Sequence, residues 1–169
     1  MNTPEFFHLF ILFLHLLLIF NDFSTFVVYN GVDTPERLLE IVRYINSDGK
    51  VCDGIGIQAH TDISWGTPED MRDAALKFLA EGLELQVTEL DIGIVSNTKQ
   101  NAEKQMEKYA KIFRYFAEIK QNGGNITGFT IWGLADSIDA KDTKAVLFSY
   151  PGRPKDVYYR VLQEYAEMK

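Results

Sequence analysis

The sequence has a single cysteine, Cys52, which excludes an intrachain disulfide and any cysteine-based metal cluster. It lies beside an apolar run that reads as a buried strand, so a small core residue is expected there. A glycine-rich phosphate loop and a nucleotide fingerprint are also missing, and no ligand cluster calls for a metal or a cofactor. Basic residues are few and scattered, 17 Lys and Arg against 24 Asp and Glu for a net charge of −7. With no basic stripe, a nucleic-acid partner is excluded and a neutral or cationic ligand fits better. No repeat, low-complexity tract or flexible linker divides the 169 residues, which points to one structural unit. What is present is a globular composition, 46% hydrophobic and 13% aromatic. The length suffices for one core and falls short of the roughly 250 residues typical of a closed eight-fold barrel.

Residues 6–20 are almost wholly apolar, broken only by His8 and His15. As a helix this run would measure about 22 Å, short of the ~30 Å hydrocarbon core of a bilayer, which argues against a membrane span. A secretory signal core is the alternative and would make the protein extracellular. Yet the first basic residue is Arg37, Glu5 precedes the run, and Asn21-Asp22-Phe23 follows with no small-residue cleavage pattern. A third reading makes the end of the run a strand and the rest a remnant. Residues 1–15 are therefore set apart as an apolar segment, signal-like or remnant, from residues 16–169.

Four segments read as short apolar runs ending in polar residues, namely 16–21, 51–60, 83–91 and 126–136, and each is followed by helical periodicity. Thr34-Pro35 supplies an N-cap with proline at the first helical position, ahead of Leu38, Leu39, Val42 and Ile45, with a stop near Gly49. Thr67-Pro68 repeats the device, with Asp70 in the first turn and Gly82 as terminator. A longer helix carries Ala102, Met106, Tyr109, Phe113 and Phe116, ended by Gly123-Gly124. The last sets Tyr158, Leu162 and Tyr165 on one side beside Val161, and these aromatic stripes are expected to be core. Strands alternating with helices in this order call for parallel strands and right-handed crossovers.

The run from Leu83 ends in Val87-Thr88-Glu89-Leu90-Asp91, so a carboxylate sits where a buried strand opens into a polar loop. In a (β/α) barrel that end carries the chemistry. Partial loss of hydration there suits a nucleophile or a proton donor, although an N-cap or surface acid would also fit the bare pattern. Strict alternation turns Gly54, Gly56, Gln58 and His60 to one face and Ile55, Ile57 and Ala59 to the other. The same phase sends Leu85, Val87, Glu89 and Asp91 one way, and sets Thr130 and Trp132 opposite Phe129 and Ile131. Three neighbouring strands thereby bring Gln58, His60, Glu89, Asp91 and Trp132 to one rim.

In order and spacing, Asp53-Gly54-Ile55-Gly56-Ile57-Gln58-Ala59-His60, Val87-Thr88-Glu89-Leu90-Asp91 and Thr130-Ile131-Trp132-Gly133-Leu134-Ala135-Asp136 resemble strands six, seven and eight of family-10 glycoside hydrolases, the endo-1,4-β-xylanases. Leu18-Ile19-Phe20-Asn21-Asp22 is similar to the family's fifth strand. Leu147-Phe148 with Pro154-Lys155-Asp156-Val157-Tyr158-Tyr159 is similar to its closing segment. The resemblance covers residues 16–169. It implies an α/β fold, a partial TIM (β/α)8 barrel whose parallel strands correspond to strands five to eight with intervening helices.

The resemblance further implies a retaining β-1,4-xylan hydrolase, secreted for polysaccharide degradation and needing no cofactor. Glu89 is then the nucleophile, His60 and Asp91 the network that orients it, and Gln58, Trp132 and Asn21 contacts for xylan or a xylooligosaccharide. Two departures follow. The family's general acid/base glutamate ends its fourth strand after an asparagine, and Glu5 offers no substitute, so a truncated form lacking the proton donor is expected. The second cleft tryptophan after strand eight is replaced by Ser137-Ile138-Asp139-Ala140. Alternatives at this point are a non-catalytic xylooligosaccharide-binding fragment or pseudoenzyme, and a misassembled frame with no fold of its own. Four strands of a barrel leave two open edges, which invites self-association or complementation by another half.

Overall fold

The computed structural model describes residues 17–137 and 144–168. The expected apolar segment 1–15 and the loop residues Ile138, Asp139 and Ala140 lie outside them. Nine strands and four helices alternate along the described chain: β1 (Ile19–Asp22), β2 (Val28–Tyr29), β3 (Val32–Asp33), α1 (Thr34–Ile45), β4 (Gly54–Ile57), β5 (His60–Asp62), α2 (Pro68–Ala80), β6 (Glu84–Gly93), α3 (Lys99–Gln121), β7 (Ile126–Ile131), β8 (Phe148–Ser149), β9 (Arg153–Pro154) and α4 (Asp156–Glu167). β1, β4, β6 and β7 lie side by side, every neighbour parallel, and β5 continues the line of β4 along β6. This is a four-position arc of a barrel wall, with β1 and β7 as its edges.

The helices cover one face of the arc. Ile55, Ile57 and Ala59 are fully buried there, as are Leu85, Leu90 and Ile92, against Met71, Ala75 and Phe78 of α2 and Ile112 of α3. Burying the five isoleucine and leucine side chains that the strands contribute to this set adds roughly 8–15 kcal/mol of apolar transfer, enough to fix which face points outward. Cys52 is buried in the same cluster.

One cap and one helix face differ from the sequence reading. The N-cap of α1 is Asp33, whose carboxylate accepts from the Glu36 amide, while the Thr34 hydroxyl turns back to the carbonyls of Ser24 and Val27. Asp33 wins because its acceptor reaches a helix amide that Thr34 cannot reach once its hydroxyl is committed. Thr67 caps α2 with a reciprocal Asp70 bond, and Gly82 follows its end in a left-handed conformation. On α4 the packed side is Val157, Val161 and Glu164, whereas Leu162 and Tyr165 are half-exposed. The tyrosine stripe therefore does not face the core. Arg114 of α3 and Arg160 draw the Glu164 carboxylate inward and set the helix's rotation.

The strict alternation expected along β6 also fails. Leu85 and Val87 are buried beneath the helices, but so are Leu90 and Ile92, while Thr88, Glu89 and Asp91 are half-buried on the inner side. The register shows why: the interval from Ile57 to His60 is matched by an interval one residue longer, from Val87 to Asp91. The pairing with β7 slips over the same stretch. A bulge at Thr88-Glu89 thus turns Glu89 to the inner face at the carboxyl end of the strand.

Candidate active site

Each inner-facing residue at this rim is held by the backbone beneath it. β1 and β4 pair Asn21 with Gly56, and a Cβ at Gly56 would stand 2.5 Å from the Asn21 Oδ1. Glycine at this position makes room for the amide. Asn21 donates from Nδ2 to Glu89 Oε1 at 3.2 Å, and its Oδ1 accepts from the Thr88 hydroxyl at 2.8 Å. The second bond fixes which end of the amide meets the carboxylate.

His60 opens β5 directly after Ala59, a fully buried residue with φ of 63°. The left-handed backbone there ends β4, and the chain resumes in register with Asp91. The imidazole stands between two acids, Nε2 at 3.2 Å from Glu89 Oε2 and Nδ1 at 3.1 Å from Asp91 Oδ2. Burial raises the Asp91 carboxyl above its ordinary value, against the pull of His60. With Glu89 ionised, two proton arrangements satisfy this chain. Either both ring nitrogens carry protons between two carboxylates, or Asp91 holds the proton and donates to Nδ1. In both, an N–H points from Nε2 to Glu89.

Glu89 therefore accepts one hydrogen bond on each oxygen, from Asn21 and from His60. Such a carboxylate is fixed in direction and retains lone pairs toward the open inner face. The Trp132 ring lies 6.3 Å from the imidazole, nearly perpendicular to it, and the indole is 54% exposed. Gln58 is half-buried just past the end of β4, where its backbone amide donates to the Asp22 carbonyl. The structure thus gathers Asn21, His60, Glu89, Asp91 and Trp132 at one rim, with Gln58 beside them. Sequence reasoning missed Thr88, and its spacing carried no sign that its hydroxyl would orient Asn21. Among the described residues no group of three or more His, Cys, Asp or Glu is placed to hold a metal ion.

The profile of glycosyl hydrolase family 10 matches residues 14–164. The chain belongs to this family. It is 32% identical over 152 residues to endo-1,4-beta-xylanase A of Butyrivibrio fibrisolvens, covering 89% of this chain and 34% of the relative. It is 38% identical over 145 residues to the bifunctional endo-1,4-beta-xylanase XylA of Ruminococcus flavefaciens, covering 84% of this chain and 14% of that protein. Among solved structures, the family-10 xylanase of Thermobacillus composti superposes with a TM-score of 0.76 at 25% identity, over 88% of this chain and 52% of the other. Native xylanase 10B of Thermotoga maritima gives 0.75 at 25% identity, over 89% and 47%. The chain thus spans about half the length of these solved family-10 xylanases, and 34% and 14% of the two relatives named. Its fold is a partial TIM barrel.

Proposed function

We propose that this chain carries the nucleophile half of a retaining endo-1,4-β-xylanase, with residues 16–169 forming the carboxyl-terminal half of the barrel and residues 1–15 a separate segment. The single observation that carries the reading is the Asn21–Glu89–His60 arrangement, which aims one carboxylate from a barrel strand end into the open inner face. Glu89 attacks the anomeric carbon, the glycosidic bond breaks, and a glycosyl ester forms on Oε1 or Oε2. His60 and Asp91 hold the carboxylate in position and temper its charge. Trp132 offers an apolar face to a pyranose ring, and Gln58 and Asn21 contribute hydrogen bonds to xylan or a xylooligosaccharide.

The second carboxylate of this chemistry stands about 5–5.5 Å from the first and protonates the leaving oxygen. In this proposal it comes from outside the described residues, since Asp91 is turned to the imidazole. Hydrolysis of xylan by the chain alone is then slow, short of the roughly 10²- to 10⁴-fold that general acid–base catalysis supplies. The open edges of β1 and β7 suit parallel pairing with a second half-barrel, either another copy or a complementary chain. Action on a polymeric substrate places the protein outside the cell.

A dinitrophenyl xylobioside tests the reading, because its leaving group departs without a proton. A burst of dinitrophenolate stoichiometric with protein, followed by slow turnover, is expected. Binding of xylooligosaccharide with no burst, unchanged by Glu89→Gln, would instead establish a non-catalytic binding fragment.

A further inference from the structure

Behind the rim, helix α3 sends Lys108 into the turn that follows β5. Its ammonium lies 2.6 Å from the Asp62 carbonyl, 2.8 Å from the Trp65 carbonyl and 3.0 Å from the Thr61 hydroxyl, and it also contacts the Gly66 carbonyl. Among the described residues it forms no ion pair, and its oxygen partners all come from this one turn. A half-buried charge held at hydrogen-bond distance by dipoles is costly to keep unless the groups around it are fixed, and here they are backbone carbonyls and a hydroxyl of residues 61–66.

Besides Lys108, that backbone is tied to the sheet through β5 and through the Ile63 amide, which donates to the Gly93 carbonyl at 3.1 Å, and Trp65 packs against Phe26. β5 has only three ladder positions, His60 opposite Asp91, Thr61 opposite Ile92 and Asp62 opposite Gly93. Upstream the strand is broken at Ala59, and downstream the chain turns on an Asp62 carboxylate that accepts from Ser64 and Trp65. His60 therefore sits at the start of a short strand whose far end is secured by the Ile63–Gly93 bond and by Lys108.

We propose that Lys108 is a positioning residue for the candidate nucleophile: its ammonium fixes the 61–66 turn, and through β5 it holds His60 between Glu89 and Asp91. The proposal rests on the nucleophile reading of Glu89 for its functional consequence, and on the turn geometry alone for its structural one. Charged groups facing Lys108 are Asp62 in the turn and Asp70 in the first turn of α2. Burial lowers the ammonium to about 8 against their attraction. Above that pH a neutral amine donates fewer and weaker bonds, so the turn loosens within the range where the protein can be studied.

The experiment follows backbone amides of residues 61–66 and the His60 ring by nuclear magnetic resonance from about pH 6.5 to 9.5, in the wild type, Lys108→Arg and Lys108→Met. In parallel, the rate at which a fluorinated xylobioside inhibitor esterifies Glu89 is measured at each pH. The wild type is expected to show turn amides and His60 ring signals stepping together near pH 8, with the esterification rate falling at the same midpoint. Lys108→Arg, which keeps its charge throughout, should remove the step and hold the rate at alkaline pH. Lys108→Met should sit at the wild-type alkaline position at every pH. If the step persists unchanged in Lys108→Arg, or the amides step while the His60 ring does not, the positioning role is overturned. If Glu89 takes no label while the amides and ring step as described, the nucleophile reading fails and the role of Lys108 in placing His60 stands.

Discussion

Nε2 of His60 lies 3.2 Å from Oε2 of Glu89, while the other ring nitrogen faces Asp91. The imidazole thereby adds a side-chain bridge between β5 and β6, which already pair His60 with Asp91, and it gives the outer carboxylate a fixed donor. The other oxygen of Glu89 meets Asn21 from a third strand. The position of this one acid is set from both sides.

Asn21→Ala should slow formation of the glycosyl ester by roughly 10- to 100-fold, the value of one hydrogen bond to a charged group. Burst kinetics with the dinitrophenyl substrate measure it. An unchanged burst rate would mean that the amide does not orient Glu89.

Gly56→Ala should resemble Asn21→Ala, although it touches no carboxylate. Its new methyl would stand 2.5 Å from the Asn21 Oδ1 and 3.1 Å from the Thr88 Cγ2, displacing the amide. Because both changes break the same contact, the double variant should be little slower than either single one. Additive losses would show that Gly56 acts elsewhere.

Ala59→Gly should leave stability within about 1 kcal/mol of the wild type, because glycine adopts the positive φ freely and the lost methyl is small. Ala59→Val combines an unfavourable backbone with overpacking of a fully buried position and should destabilise by about 1–3 kcal/mol. Denaturant unfolding compares them.

Glu164→Gln should lower the thermal midpoint by several degrees, since it strips the shared partner from Arg114 and Arg160. Burial works against the Glu164 charge, but the hydrogen bonds from Arg114 and Arg160 outweigh it and hold the carboxyl below its ordinary value of 4.5. The stabilisation is therefore present above that value and is lost as the pH falls through the lower folded-state value. Thermal midpoints of wild type and Glu164→Gln should converge as the solution is acidified.

Much of this arrangement was legible from residue order. Ile55, Ile57 and Ala59 alternate with Gln58 and His60 because a sheet covered by helices on one face imposes a period of two. That period correctly brought His60 toward the rim. It gave the right rim for Glu89 by the wrong path, since the alternation was carried through Val87 when a bulge at Thr88-Glu89 intervenes. A bulge depends on pairing with neighbouring strands, and one strand read alone does not contain it. The tyrosine stripe of α4 misled for a related reason. Periodicity marks an amphipathic face but not which neighbour claims it, and the paired arginines around Glu164 decided the rotation. Lys108 was not singled out because a lysine on a helix is ordinarily solvated.

Glu89 is the proposed attacking carboxylate. Peptide mapping by mass spectrometry, after incubation with a dinitrophenyl fluoro-xylobioside, addresses it most directly. One fluoro-xylobiosyl group per chain is expected, esterified to Glu89 and absent in Glu89→Gln. A folded chain that stays unlabelled, or carries the sugar on another residue, would contradict the proposal.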